Sequence, residues 1–118
     1  MKKYLFMLLI LPIFLLGCNR QEDNFSQEKL YFFYSDTCPH CHDALKYIDA
    51  QYPELTLTMI NVTNEGGLEL LIKAAQKFKL GNRVGTPLFV WKDQYLMGWS
   101  PQNEKLFNEL AQAYLTRE

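Results

Sequence analysis

The sequence predicts an α/β domain in the order strand-helix-strand-helix-strand-strand-helix, and three observations carry that prediction. Apolar residues switch repeatedly between short strand-like runs and helical spacing. The segment Cys38-Pro39-His40-Cys41 sits where the first such run gives way to the first helical pattern. A strand pair joined by a short turn then follows Thr86-Pro87 and leads into a helix that starts Ser100-Pro101. The 118 residues allow one domain. The net charge is −1 and the Lys and Arg residues look scattered along the chain, so nothing points to nucleic acid.

The chain opens with a targeting pattern. Met1-Lys2-Lys3 is positive, and the apolar stretch Tyr4 to Leu16 is thirteen residues long, whereas a spanning helix needs about 20. It ends in Leu15-Leu16-Gly17-Cys18, which resembles the bacterial lipobox, where cleavage precedes a cysteine that becomes lipidated. An ordinary signal peptide or an uncleaved anchor are the other readings of this stretch. The lipobox reading divides the chain into a signal peptide at 1–17, a lipidated Cys18 with a polar tether at 18–28, and a domain at 29–118. It also resolves the cysteine count. With Cys18 acylated, the remaining two cysteines form one pair, in a compartment where disulfide chemistry persists. The ten residues Asn19 to Glu28 reach at most about 35 Å, which keeps the domain near the membrane surface.

Within the domain, Leu30 to Tyr34 is apolar throughout and suits a central strand covered on both faces. Ser35-Asp36-Thr37 is a turn. Pro39 suits a first helical position, and Cys41, Ala44, Leu45, Ile48 and Tyr52 keep helical spacing until Pro53. Leu55 to Ile60 reads as the second strand. Asn64-Glu65-Gly66-Gly67 is expected to break the chain before a helix with the stripe Leu68, Leu71, Ile72, Ala75 and Phe78, closed by Gly81-Asn82. Leu88 to Trp91 and Tyr95 to Met97 form a hairpin across Lys92-Asp93-Gln94. Ser100 caps the last helix, whose predicted buried face is Leu106, Phe107, Leu110, Ala113 and Tyr114.

The chemistry concentrates at Cys38 and Cys41. A thiol at a helix N-terminus meets unpaired backbone N–H groups and the positive end of the helix dipole, which favour the thiolate. A second thiol one turn on is placed to close a small disulfide ring, so thiol–disulfide exchange is the expected chemistry. Two other classes share the motif. Cys38-Pro39-His40-Cys41-His42 matches the c-type haem attachment pattern, with His42 as axial ligand and Met59 or Met97 as a second. Copper could bind the two thiolates with His40 or His42, although one helical turn does not surround a tetrahedral ion.

With Cys-Pro-His-Cys after the first strand and Thr86-Pro87 before the third, residues 29 to 117 resemble the thioredoxin-fold superfamily in its compact, glutaredoxin-like form. The resemblance implies a four-stranded mixed sheet flanked by three helices and a cis bond before Pro87. In that arrangement the Thr86 backbone is offered to an extended substrate segment. Cys38 is then the exposed nucleophile and Cys41 the buried resolving thiol, while Pro39 shapes the helix start. The Pro39-His40 pair is similar to that of the DsbA-type periplasmic oxidases, where histidine stabilises the thiolate and makes the disulfide more oxidising.

The chain departs from that family in three respects. It has no room for the helical insertion of DsbA-type proteins. Phe32 stands where many thioredoxins carry a buried acid. Gly98-Trp99-Ser100 lacks the Gly-Gly and acidic cap of glutathione-using glutaredoxins. The expected reagent is the Cys38–Cys41 disulfide itself, with no other cofactor and no metal. The expected partners are protein thiols or disulfides and a membrane redox protein, met by a monomer on the extracytoplasmic or periplasmic side of a membrane.

Overall fold

A computed structural model describes residues 25–117. The elements are β1 (Tyr31–Tyr34), α1 (Pro39–Gln51), β2 (Thr58–Asn61), α2 (Glu65–Lys77), a 3₁₀ turn (Gly81–Arg83), β3 (Leu88–Trp91), β4 (Gln94–Met97) and α3 (Pro101–Leu115). The sheet order is β2-β1-β3-β4. β2 is parallel to β1, while β3 runs antiparallel to β1 and β4 antiparallel to β3. The predicted element order and the mixed four-stranded sheet with three helices are therefore present. The expected signal peptide at 1–17 and the expected lipidation at Cys18 fall outside the described residues.

Alternation along β1 builds two cores on opposite faces of the sheet. Phe32 joins Phe89 and Leu96 beneath α1 and α3, against Ala44, Ile48, Phe107 and Leu110. Tyr31 and Phe33 join Leu88 and Val90 beneath α2, against Leu71, Ala74 and Ala75. Both cysteines belong to the α1/α3 core.

Several local expectations need correction. β2 starts at Thr58 rather than Leu55, because its ladder begins where Thr58 faces Tyr31 and the Thr58 N–H reaches the Leu30 carbonyl at 2.8 Å. Leu55 and Leu57 pack against the α1 core instead. The α2 stripe is rotated: Leu71, Ala74 and Ala75 are buried, whereas Leu68 and Ile72 are each 47% exposed. In α3 the buried face is Phe107, Leu110, Ala111 and Tyr114, with Leu106 and Ala113 exposed.

Gly66 and Gly67 do not precede α2 but lie in its first turn. A Cβ at Gly67 would overlap the carbonyl oxygen of Asn61, so only glycine lets the helix start this close to the end of β2. The helix closes two residues before Gly81. Lys79 takes the left-handed conformation (φ 56°), its N–H donates to the Gln76 carbonyl, and the Leu80 N–H donates to that of Ala75. This paired closure satisfies the last carbonyls and turns Leu80 into the α2 core.

The stretch expected to be tether also contributes to the packed body. Phe25 is buried edge-on to Tyr31 at 5.1 Å. The following residues are held by Trp91 Nε1 donating to the Gln27 carbonyl at 3.2 Å and by the Tyr114 hydroxyl donating to the Glu28 carbonyl at 3.2 Å.

Candidate active site

The site is built on the start of α1. Cys38 is the N-cap residue in extended conformation (φ −96°, ψ 101°), and its Sγ accepts the backbone N–H of Cys41 at 3.1 Å. Its carbonyl accepts the N–H groups of Cys41 at 3.1 Å and of His42 at 3.2 Å. Pro39 occupies the first turn, where a missing N–H costs nothing. No acidic residue stands in this turn, so no carboxylate within it competes with the sulfur for the positive end of the helix. Cys38 and Cys41 are joined by a disulfide with Cα atoms 5.2 Å apart. Cys38 is 8% exposed and Cys41 1%, which makes Cys38 the sulfur a partner reaches first.

Thr86-Pro87 lies at the same edge of the sheet. Leu88 pairs with Phe33 near the end of β1, four residues before the connecting turn is complete at Thr37, so Pro87, just before β3, and the redox pair, just after β1, lie at neighbouring strand ends. The Thr86-Pro87 bond is cis. Pro87 is buried, and its carbonyl accepts the Gly98 N–H at 2.8 Å, which ties the end of β4 to this loop. His40 is exposed in the first turn of α1. His42 is also exposed, with Nε2 3.4 Å from the Asp36 carbonyl oxygen.

Phe32, at the position of the acid seen in many thioredoxins, is fully buried, stacked on Tyr34 at 5.9 Å and tilted against Phe89 at 5.0 Å. No polar or charged residue is buried among the described residues. Among them, no three of His, Cys, Asp and Glu gather into a metal-ligand set. Trp99 packs against Tyr47, Phe89 and Phe107, and Trp91 is buried in the same core, so both tryptophans serve packing. Met59 and Met97 lie in β2 and β4.

The sequence reading passed over a polar link beside the site. Asn61 Nδ2 reaches Asp36 Oδ1 at 3.4 Å, while its Oδ1 accepts both the N–H (3.0 Å) and the hydroxyl (2.6 Å) of Thr63. Asn61 thereby joins the turn after β1 to the turn after β2. The run Asn61-Val62-Thr63-Asn64 carries a local turn signal, but the partner Asp36 is 25 residues away. It also passed over the paired phenols on α1 and at its end. Tyr47 and Tyr52 both donate to Asn108 Oδ1, at 2.8 and 2.7 Å, and bind α1 to α3. Burial, then the neighbouring Tyr47, pushes the Tyr52 phenol above its ordinary value.

Comparison with known proteins agrees with this architecture. No family model matches the chain, and no curated protein matches it. Among solved structures, the chain is similar to the glutaredoxin (grx-1) from Archaeoglobus fulgidus, at 19% identity over 70% of this chain and 85% of that one, with a TM-score of 0.53. A buckwheat glutaredoxin–glutathione complex is also similar, at 14% identity over 73% of this chain and 71% of that one, with a TM-score of 0.48. The chain has the thioredoxin-like fold, with a Cys-x-x-Cys disulfide at the start of its first helix.

Proposed function

We propose that this protein is a thiol–disulfide oxidoreductase of exported proteins, held at the cell envelope by acylated Cys18. The observation that carries the reading is the cap of α1. Cys38 Sγ occupies the place of a capping oxygen, accepts the Cys41 N–H and meets the helix dipole with no competing carboxylate in the turn. A reduced Cys38 in this position is favoured as thiolate, the form that acts as nucleophile and leaving group. Cys41 lies in apolar surroundings, which favour its neutral thiol.

In the oxidising direction, a substrate thiolate attacks Cys38 Sγ, the Cys38–Cys41 bond breaks, and Cys41 leaves with the electron pair and takes a proton. A second substrate thiolate then attacks the substrate sulfur of the mixed disulfide and expels Cys38 as thiolate. The substrate dithiol becomes a disulfide and the protein holds two reduced cysteines. In the reducing direction the same steps run backwards. With Phe32 in place of an acid, the proton for Cys41 comes from water, a nearby imidazole or the substrate. Thr86 supports the reading as a backbone platform for an extended substrate segment, because it precedes Pro87 at the same sheet edge. His40, exposed in the first turn, is the residue we assign to tuning the potential.

Equilibration of the mature protein in glutathione buffers, with thiols read by alkylation and mass, tests the proposal. A potential near about −120 mV assigns dithiol oxidation, and one near about −270 mV assigns disulfide reduction fed by a membrane partner. A pair that never cycles overturns the exchange reading.

A further inference from the structure

The Lys and Arg residues look scattered along the sequence, yet one stretch carries cations alone. Between Leu70 and Lys92 the chain carries five cations, Lys73, Lys77, Lys79, Arg83 and Lys92, and no carboxylate, while Lys77 reaches Asp93 just past the stretch at 3.5 Å. Most of this stretch is α2 and the segment that returns beside it to β3. The acids of α2, Glu65 and Glu69, stand in its first two turns, on either side of Leu68. The same face carries unpartnered apolar surface. Leu68 and Ile72, one helical turn apart, are each 47% exposed. Below them a cavity of about 560 Å³ lies between Ile72, Ala75 and Lys79 on one side and Gly81, Asn82 and Val84 on the other. Lys79 lines it, and the exposed Lys73 and Arg83 are chain neighbours of its lining residues Ile72, Asn82 and Val84.

The route of the chain selects an occupant. Phe25 packs in the α2 core with Leu71, Ala74 and Ala75, so the described chain begins on the α2 side of the sheet. Cys18 is seven residues earlier, a reach of at most about 25 Å. The redox cysteines belong to the core on the opposite side of the sheet.

We infer that the α2 face is a membrane-docking surface that rests on anionic lipid headgroups, with Leu68 and Ile72 against the acyl boundary and Lys73, Lys79 and Arg83 on the phosphates. This inference rests on the proposed anchor at Cys18. Apolar side chains with Lys and Arg on their cavity side bind an anionic interface through both terms at once. A short anchored segment makes that contact effectively intramolecular. Docked this way, the domain keeps the Cys38 side of the sheet turned toward protein substrates.

The test uses the full acylated protein in phosphatidylglycerol vesicles brominated in the acyl chain. Ile72→Trp reports from the α2 face and Asp49→Trp, at an exposed position on α1, serves as the control, with the parent signal subtracted from each. The I72W indole is expected to be quenched at least about two-fold more than the D49W indole. Each cation removed in the series Lys73→Gln, Lys79→Gln and Arg83→Gln is expected to weaken the contact about five-fold. Protein that floats with the vesicles but shows equal quenching in both variants overturns the docked face and leaves the anchor standing. Protein that does not float overturns both. An I72W signal that follows protein concentration rather than lipid assigns the face to a second copy and also overturns membrane docking.

Discussion

Helices α1 and α2 start at the same edge of the sheet, just past the ends of the parallel strands β1 and β2, and they treat their first amides differently. At α1 the capping atom is the Cys38 sulfur, and the first turn holds no acid. At α2 the capping position is Asn64, whose side chain makes no capping bond, and Glu65 stands in the first turn. Gly67 then brings that turn against the Asn61 carbonyl. α3 combines a side-chain cap, Ser100, with an acid, Glu104. The contrast teaches what a reactive helix start requires. The fields of α2 and α3 are already met by carboxylates, while that of α1 is left for a sulfur whose charge changes during reaction.

The largest break in this contrast comes from removing the sulfur. Cys38→Ser is expected to abolish exchange with a peptide disulfide, because no thiolate remains at the cap. Cys41→Ser is expected to let Cys38 react once and stop. Mass spectrometry should then show the protein joined to its substrate as a mixed disulfide. Turnover by Cys38→Ser would move the chemistry away from the start of α1.

Packing at α2 gives the next effect. Gly67→Ala forces a methyl into the Asn61 carbonyl and is expected to lower unfolding stability by about 1–3 kcal/mol. Gly66→Ala meets no neighbouring atom and is expected to raise it by about 0.5–1 kcal/mol. Denaturant unfolding of the two variants checks both signs. Equal effects would mean that α2 does not seat on the end of β2 as described.

Capping separates the helices on a smaller scale. The Ser100 hydroxyl accepts the Asn103 N–H at 3.1 Å, so Ser100→Ala is expected to cost about 1 kcal/mol. Asn64→Ala removes no side-chain cap bond and is expected to cost a few tenths of that. The same unfolding measurement resolves the difference. A larger loss at Asn64 would show that α2 depends on its cap after all.

The sequence revealed what is decided locally. Cys38-Pro39 and Ser100-Pro101 announce helix starts through the chemistry of their own side chains, and both starts lie where expected. The order of elements along the chain follows from short apolar runs between turn signals. Less legible was the face each helix buries. In Leu68-Glu-Leu-Leu-Ile-Lys-Ala-Ala75, two overlapping stripes fit helical spacing, and only packing on the sheet selects Leu71, Ala74 and Ala75 over Leu68 and Ile72. Phe25 is a lone aromatic in a polar run and carries no period, yet its partners Tyr31 and Phe33 bury it. The need for glycine at 67 depends on the backbone of Asn61, a neighbour supplied by the fold. At the site, local pattern indicated the two cysteines, while the link from Asn61 to Asp36 required tertiary structure.

The subtlest test gives α1 the feature that α2 and α3 already have. His40→Glu puts a carboxylate in the first turn, at an exposed position where the substitution leaves the core untouched. The new charge engages the helix dipole and repels the Cys38 thiolate. It therefore destabilises the reduced form relative to the disulfide, which carries no charge. The midpoint potential is expected to fall by about 6–20 mV, the equivalent of the usual 0.3–1 kcal/mol for a charge at a helix end. The thiolate absorbance of reduced protein is expected to appear at higher pH than in the parent. His40→Gln removes the imidazole without adding charge, and its change in potential measures what the histidine alone contributes. If His40→Glu leaves both the potential and the thiolate titration unchanged, the acid-free first turn of α1 has no part in holding the sulfur's charge. The cap bond from Cys41 N–H would then have to account for it alone.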